Sequence, residues 1–181
     1  MACGKTTFGR ALARRLGLEF IDLDFYIEQR FRKSINEIFH DKGEEEFRRI
    51  EASMLREVGE FENVIISCGG GTPCFHSNMD YMLDKGDVVW LQASVDRITQ
   101  RLLINSSRRP LMKGKCEEEI RQAVLDGLAQ RETHYNRANI HFASDELEDR
   151  RQIDNTVEKF LLTPKISQIY QTKVAGLEDL S

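Results

Sequence analysis

Apolar residues at Phe8, Ala11, Leu12, Ala13 and Leu16 share one face at helical spacing, so the pattern predicts a helix over 5–16 that Gly17 stops. The run 18–23 reads as a short strand ending in acids. Ser34-Ile35-Asn36-Glu37 has the spacing of a capping box and predicts a short helix, which Gly43 separates from a longer one over 44–58. Val64-Ile65-Ile66 is a compact β-branched run that soon meets Gly69-Gly70-Gly71; its brevity and the abrupt glycines predict a buried parallel strand. Further along, the pattern predicts a strand over 87–91, a helix over 94–104, a helix over 117–137 and a last strand over 140–143. Asp145 with Glu148 is placed to cap a final helix reaching about 162. The polar, basic stretch 105–115, with Pro110 and Gly114 inside, is longer than most connections and reads as a lid. Periodicity fades after Pro164, so 163–181 reads as a peripheral tail.

Strands that alternate with helices predict an α/β fold, a parallel sheet covered by helices on both faces. Ligands of such sheets sit beyond the carboxyl ends of the strands, where the glycines and acids of this chain fall. A chain of 181 residues fits one domain with a real core. A net charge of -4 gives no reason to expect nucleic acid as a partner, and no apolar run approaches a membrane span. No signal peptide is visible. The four cysteines, Cys3, Cys68, Cys74 and Cys116, match neither a zinc template nor a disulfide framework, so small thiols in a reducing cytoplasm are expected.

Chemistry enters at the start. Gly4-Lys5-Thr6-Thr7 is the closing half of G-x-x-x-x-G-K-[ST], and a helix follows at once. In that motif main-chain N–H groups cradle phosphates, the lysine reaches the β/γ-phosphates and the hydroxyl binds Mg²⁺. An exposed helix start with a chance G-K-T-T would look the same over these four residues. Asp22 and Asp24 flank Leu23 at the end of a predicted strand, where both would point to one side. Two such carboxylates suit a division between Mg²⁺ and a substrate hydroxyl, and equally suit the cap of a following helix. Arg48 and Glu51 share a helix face, either as a surface ion pair or as an arginine fork held for a carboxylate. Three successive glycines after a buried strand carry an entropic cost that a simple turn does not require, so Gly69, Gly70 and Gly71 point to close approach of a ligand. Arg109, in the lid, is placed to stabilise a transferring phosphate; Arg131 alone is an ordinary helix arginine.

As an ordered set these pieces resemble shikimate kinase. The resemblance runs from residue 1 to about 162 and rests on G-K-T-T, Asp22-Leu23-Asp24, Phe47-Arg48-Arg49-Ile50-Glu51, the 64–71 run with its triple glycine, Arg109-Pro110-Leu111, and Arg131 ahead of Tyr135. It implies a domain over 1–162 with a lid at about 105–116, in a P-loop kinase fold of sheet order 2-3-1-4-5. It also implies transfer of the ATP γ-phosphate to the 3-hydroxyl of shikimate with Mg²⁺, by a cytoplasmic monomer. Carried over, Cys3, Gly4, Lys5, Thr6 and Thr7 bind the nucleotide phosphates, and Thr6 and Asp22 serve the metal. Asp24 binds the acceptor hydroxyl and accepts its proton. Arg48 and Arg131 grip the shikimate carboxylate, while Gly69, Gly70 and Gly71 meet the substrate. Arg109 closes over the γ-phosphate, and Arg101 packs against adenine.

One departure stands out against that family. The first glycine of the loop motif and the strand that feeds it would lie upstream of Met1. The expectation is therefore a sheet without its central first strand, reduced stability, and a start placed inside the true loop. Two other readings are a P-loop kinase for gluconate or a nucleoside monophosphate, and a nucleotide-binding protein impaired in catalysis.

Overall fold

The computed structural model describes residues 2–104 and 116–167. Helix α1 (Lys5–Leu16) leads to strand β1 (Glu19–Asp22), then α2 (Leu23–Phe31), α3 (Ile35–Val58), β2 (Val64–Ser67), a short 3-10 turn (Thr72–Cys74) and α4 (Asn78–Lys85). Strand β3 (Val89–Gln92), α5 (Val95–Ile104), α6 (Glu117–Ala129), α7 (Glu132–Tyr135), β4 (Ile140–Ala143) and α8 (Arg150–Leu161) follow. Helix α1 buries the predicted stripe, and Gly17 ends it at φ 65, where its N–H reaches the Ala13 carbonyl. The Ser34/Glu37 capping box is formed, and Gly43, at φ 76 and ψ 172, interrupts α3 where the two predicted helices were to part.

All pairing among the described strands is parallel. Strand β1 lies on β2 with Asp22 opposite Ser67, and β3 lies on β4 with Gln92 opposite Ala143. In the order implied by the resemblance these are the pairs 2-3 and 4-5. Side chains alternate across the sheet: Phe20 and Ile65 face α1, while Ile21 and Ile66 face the cluster built by α2 and α3. Gly9 permits the first of these contacts, since a Cβ there would stand 2.7 Å from the Phe20 ring. Helix α1 also packs toward the other strand pair through Phe8, whose ring lies 5.7 Å from Phe142 and 5.3 Å from Phe160.

The two strand pairs do not join among the described residues. Between them lies a cavity of about 1230 Å³. Every residue of β2 and of β3 lines it, and no residue of β1 or β4 does. A pocket on the face of a sheet touches alternate residues, because side chains alternate. Contact with every successive residue means that the cavity is bordered by strand edges, with their main-chain N–H and C=O groups.

Three local expectations are corrected. The run 117–137 is not one helix: it stops at Ala129 and restarts at Glu132, with Arg131 at φ -109 and ψ -10 in the junction. Neither glycine nor proline marks that break. Asp149, not Asp145, caps α8, accepting from the Gln152 N–H at 2.8 Å; Asp145 instead accepts from the Ser94 N–H at 2.7 Å. The strand at 18–23 ends at Asp22, so Asp22 and Asp24 do not share one side of an extended chain. Asp22 accepts from the Phe25 N–H as the N-cap of α2, and Asp24 sits in that helix's first turn.

Candidate active site

The start of α1 is shaped by two left-handed residues, Ala2 at φ 54 and Gly4 at φ 94. A Cβ on Gly4 would stand 2.3 Å from Leu147, so only glycine fits. The opening N–H groups of a helix lack intrahelical acceptors, which makes this terminus suited to phosphate. Lys5 extends its ammonium to within 3.9 Å of the Cys3 sulfur, and Cys3 is buried beneath the loop. Thr6 donates its hydroxyl to the Asp22 carboxylate at 2.8 Å, while Thr7 faces solvent. The Arg101 guanidinium donates to the carbonyls of Ala2, Ser144 and Asp145 and pairs with Glu148 at 2.9 Å. It clamps the 144–148 loop to the start of the phosphate loop. Arg109 lies outside the described residues.

Asp24 is half-buried beside the glycine triplet: a Cβ on Gly69 would stand 3.2 Å from its Oδ1. Burial raises its pKa from 3.8 to about 6, helped by the charges of Asp22 and Glu51 and opposed by Lys5. That coupling places Asp24 within reach of both the phosphate-loop lysine and the acid on α3.

Arg48 resolves the choice left open by its spacing. Its Nη1 donates to Glu51 Oε2 at 2.9 Å, and the Glu51 side chain is 1% exposed, so this is no surface pair. Its Nη2 and Nε reach Glu44 at 3.2 and 3.3 Å. The Phe75 ring lies 4.3 Å from the guanidinium carbon. Gly71 lets the guanidinium rest on the main chain, since a Cβ there would meet it at 2.8 Å. Arg131 approaches the same turn: the Cys74 thiol, raised by burial, is pulled back by Arg131 and then by Arg48. The two arginines predicted to grip a carboxylate thus flank one short segment, although they are far apart in sequence.

Some residues carry the site without having been singled out for it. Tyr135 donates its hydroxyl to the Gly70 carbonyl at 2.6 Å and packs its ring 5.4 Å from Trp90, tying the glycine triplet to the β3 side. Thr72, wholly buried, donates to Glu51 Oε1 at 2.6 Å. The signal available in the sequence was that Thr72 directly follows the triplet; the exposed ring of Phe75 carried none. Burial pushes Cys68 up to about 12, and no cluster of metal-ligating side chains occurs among the described residues.

Asp24 stands beside the glycine triplet and feels the charge of Lys5 at the helix terminus shaped for phosphate, while Arg48 and Arg131 flank the turn that follows the triplet. Joined to parallel strands and covering helices, this defines a P-loop kinase acting on a small acid. The family model described as shikimate kinase matches residues 1–162. A shikimate kinase of Bacteroides thetaiotaomicron is 46% identical over 159 residues, covering 88% of this chain and 91% of that protein. The crystal structure of shikimate kinase from that organism superposes with a TM-score of 0.86 over 89% of this chain and 92% of its own. The Acinetobacter baumannii enzyme, solved in complex with shikimate, is 31% identical with a TM-score of 0.76, covering 89% and 86% of the two chains. The chain belongs to the shikimate kinase family.

Proposed function

We infer that this chain transfers the γ-phosphoryl group of ATP to the 3-hydroxyl of shikimate, with the residues of the site in the following roles. The reaction is ATP-dependent phosphorylation of shikimate, a step toward the aromatic amino acids. The observation that carries the residue assignment is the convergence of Lys5, Asp24, Arg48, Arg131 and the glycine triplet on one site.

Phosphoryl transfer asks a protein for positioning and charge neutralisation. The N–H groups opening α1, that of Thr7 among them, cradle the phosphates together with Cys3 and Gly4 of the loop, and Lys5 neutralises them. The Thr6 hydroxyl and the Asp22 carboxylate, 2.8 Å apart, present two oxygens to one point. Mg²⁺ accepts such oxygens together with phosphate and water, and so supplies further neutralisation of the phosphates there. Asp24 hydrogen-bonds the acceptor hydroxyl and takes its proton at Oδ. Arg48 and Arg131 fix the acceptor carboxylate, a task for which planar guanidinium forks are suited. Gly69, Gly70 and Gly71 let the substrate approach the main chain. Arg109 is assigned the γ-phosphate, and Arg101 the adenine, on the family resemblance. The gluconate and nucleotide kinase readings fit the paired arginines less well. A domain over 1–162 with a lid at about 105–116 and a tail over 163–181 is the organisation that accompanies this reading.

A cytoplasmic monomer is the assignment that accompanies the family resemblance; among the described residues no helix is long and apolar enough to cross a membrane.

The direct test is shikimate-dependent ADP release, run beside gluconate and nucleoside monophosphates. Arg131→Ala is expected to raise the KM for shikimate by about tenfold to a hundredfold, the loss of one charge-assisted pair, with a much smaller change for ATP. An effect confined to ATP would overturn the carboxylate assignment.

A further inference from the structure

Glu51, Thr72 and Asn78 form a chain of buried polar side chains beside the site, each at most 1% exposed. The Arg56 guanidinium donates to Asn78 Oδ1 at 3.1 Å, and Asn78 Nδ2 donates to the Thr72 carbonyl at 2.9 Å. The Thr72 hydroxyl donates to Glu51 Oε1 at 2.6 Å, and Arg48 Nη1 donates to Glu51 Oε2 at 2.9 Å. The chain begins and ends on α3 and passes through the turn after the triple glycine. The Thr72 N–H also donates to the Gly69 carbonyl at 3.2 Å, closing that turn.

A buried carboxylate has two oxygens to satisfy, and an unsatisfied one is costly. Here one oxygen is spent on Arg48 and the other on Thr72. With the hydroxyl in place, Glu51 holds a single N–H of Arg48 and fixes the plane of the guanidinium against Gly71. Without it, the free oxygen turns to the same arginine, and that response moves the guanidinium. Thr72 is also the residue at which the glycine turn and the arginine support meet.

We propose that Thr72 is a positioning residue for the acceptor site: its hydroxyl orients Glu51, and through it Arg48, relative to the main chain of the glycine triplet. The inference rests on the shikimate reading above. It predicts that acceptor binding depends on a hydroxyl at position 72 more than on the volume there.

The experiment compares Thr72→Val, which keeps the shape, with Thr72→Ser, which keeps the hydroxyl. Thr72→Val is expected to raise the KM for shikimate by about tenfold, with a smaller change for ATP, and Thr72→Ser to restore most of the loss. Shikimate itself is also titrated against the fluorescence of Trp90, the single tryptophan, which packs on the Tyr135 that holds Gly70. The melting curve of each variant is recorded alongside, and the titrations are run at a temperature where both variants are folded, because an unfolded fraction would weaken the apparent affinity. Equal shikimate affinity in the valine and serine variants, or parallel changes for shikimate and ATP, would overturn the proposal. Arg131→Ala serves as the control: if it raises the shikimate KM while Thr72→Val does not, the acceptor site stands and only the role of Thr72 fails. If neither does, the acceptor reading itself fails.

Discussion

Asp24→Asn is expected to lower kcat by about 10²- to 10⁴-fold, the usual contribution of a positioned proton acceptor. The amide keeps the size and one hydrogen bond but cannot take the proton of the attacking hydroxyl. Asp24 is fitted for the task because burial, seconded by Asp22 and Glu51, raises its pKa from 3.8 to about 6. A carboxylate at its ordinary value would be a weaker base, and one raised much further would be protonated at neutral pH. The kcat/KM of the parent protein is therefore expected to rise with pH through about 6 and level off above it, and Asp24→Asn to remove that limb. A flat profile below pH 7 in the parent protein would contradict the assignment.

The same shift carries a stability consequence of definite sign. A carboxyl whose pKa is higher folded than unfolded favours the folded state when protonated. That advantage is complete below about 3.8 and is lost as pH rises through about 6. The shift of about two units corresponds to about 3 kcal/mol at neutral pH, since each unit is worth about 1.36 kcal/mol. Asp24→Asn has no charge to bury, so at pH 8 it is expected to melt higher than the parent while turning over far more slowly. At pH 4 the difference in melting temperature shrinks. Stability and catalysis move in opposite directions at this one position, as expected where a charge is held for chemistry.

What could be read from the sequence was mostly local. The α1 stripe, the Ser34/Glu37 box, the kink at Gly43 and the strand at 140–143 are set by neighbours within a few residues, and each formed as its pattern implied. The break at Arg131 had no local mark, because the residues around it all tolerate helix. Asp22 misled in another way. It ends a strand and caps a helix at once, so a pattern read as continuous extension hid the change that puts Asp24 on α2. The site shows the same division. The spacing of Arg48 and Glu51 gave the pairing, but burial is what makes it more than a surface contact, and burial depends on Phe39, Phe47 and Phe75 closing around the arginine. The hydrogen bond from Tyr135 to Gly70 spans 65 positions, and nothing in either neighbourhood announces the other. The ordered motifs named the family; the contacts that rigidify the site follow from the tertiary fold.

The cavity between the strand pairs leads to the other large expected effect. Strands β2 and β3 both present an edge to it, and the residues that follow their carboxyl ends, Gly69, Gly70 and Ala93, line it together with Cys3. A segment joined ahead of Ala2 would start beside Cys3, which lines the cavity, and could run through it between the two strand edges. An alternating Val/Ile segment of about six residues would meet apolar side chains, among them Phe8, Leu91 and Phe160, and pair its main chain with the strand edges. Each apolar side chain so buried contributes roughly 1.5–3 kcal/mol, against a backbone ordering cost of about 1–2 kcal/mol per residue. The hydrogen bonds at two edges, and the wall residues newly removed from water, turn that balance favourable. At about 2–4 °C per kcal/mol for a chain of this size, the melting temperature is expected to rise on the order of 10 °C, with a sharper transition. The control carries proline at the centre of the same segment, which cannot donate to either edge and does not fit a central strand. Equal melting of the two extended chains would mean that the cavity does not accept a strand. A rise in the pairing version alone, accompanied by tighter ATP binding, would show that the phosphate loop is steadied by the strand that leads into it.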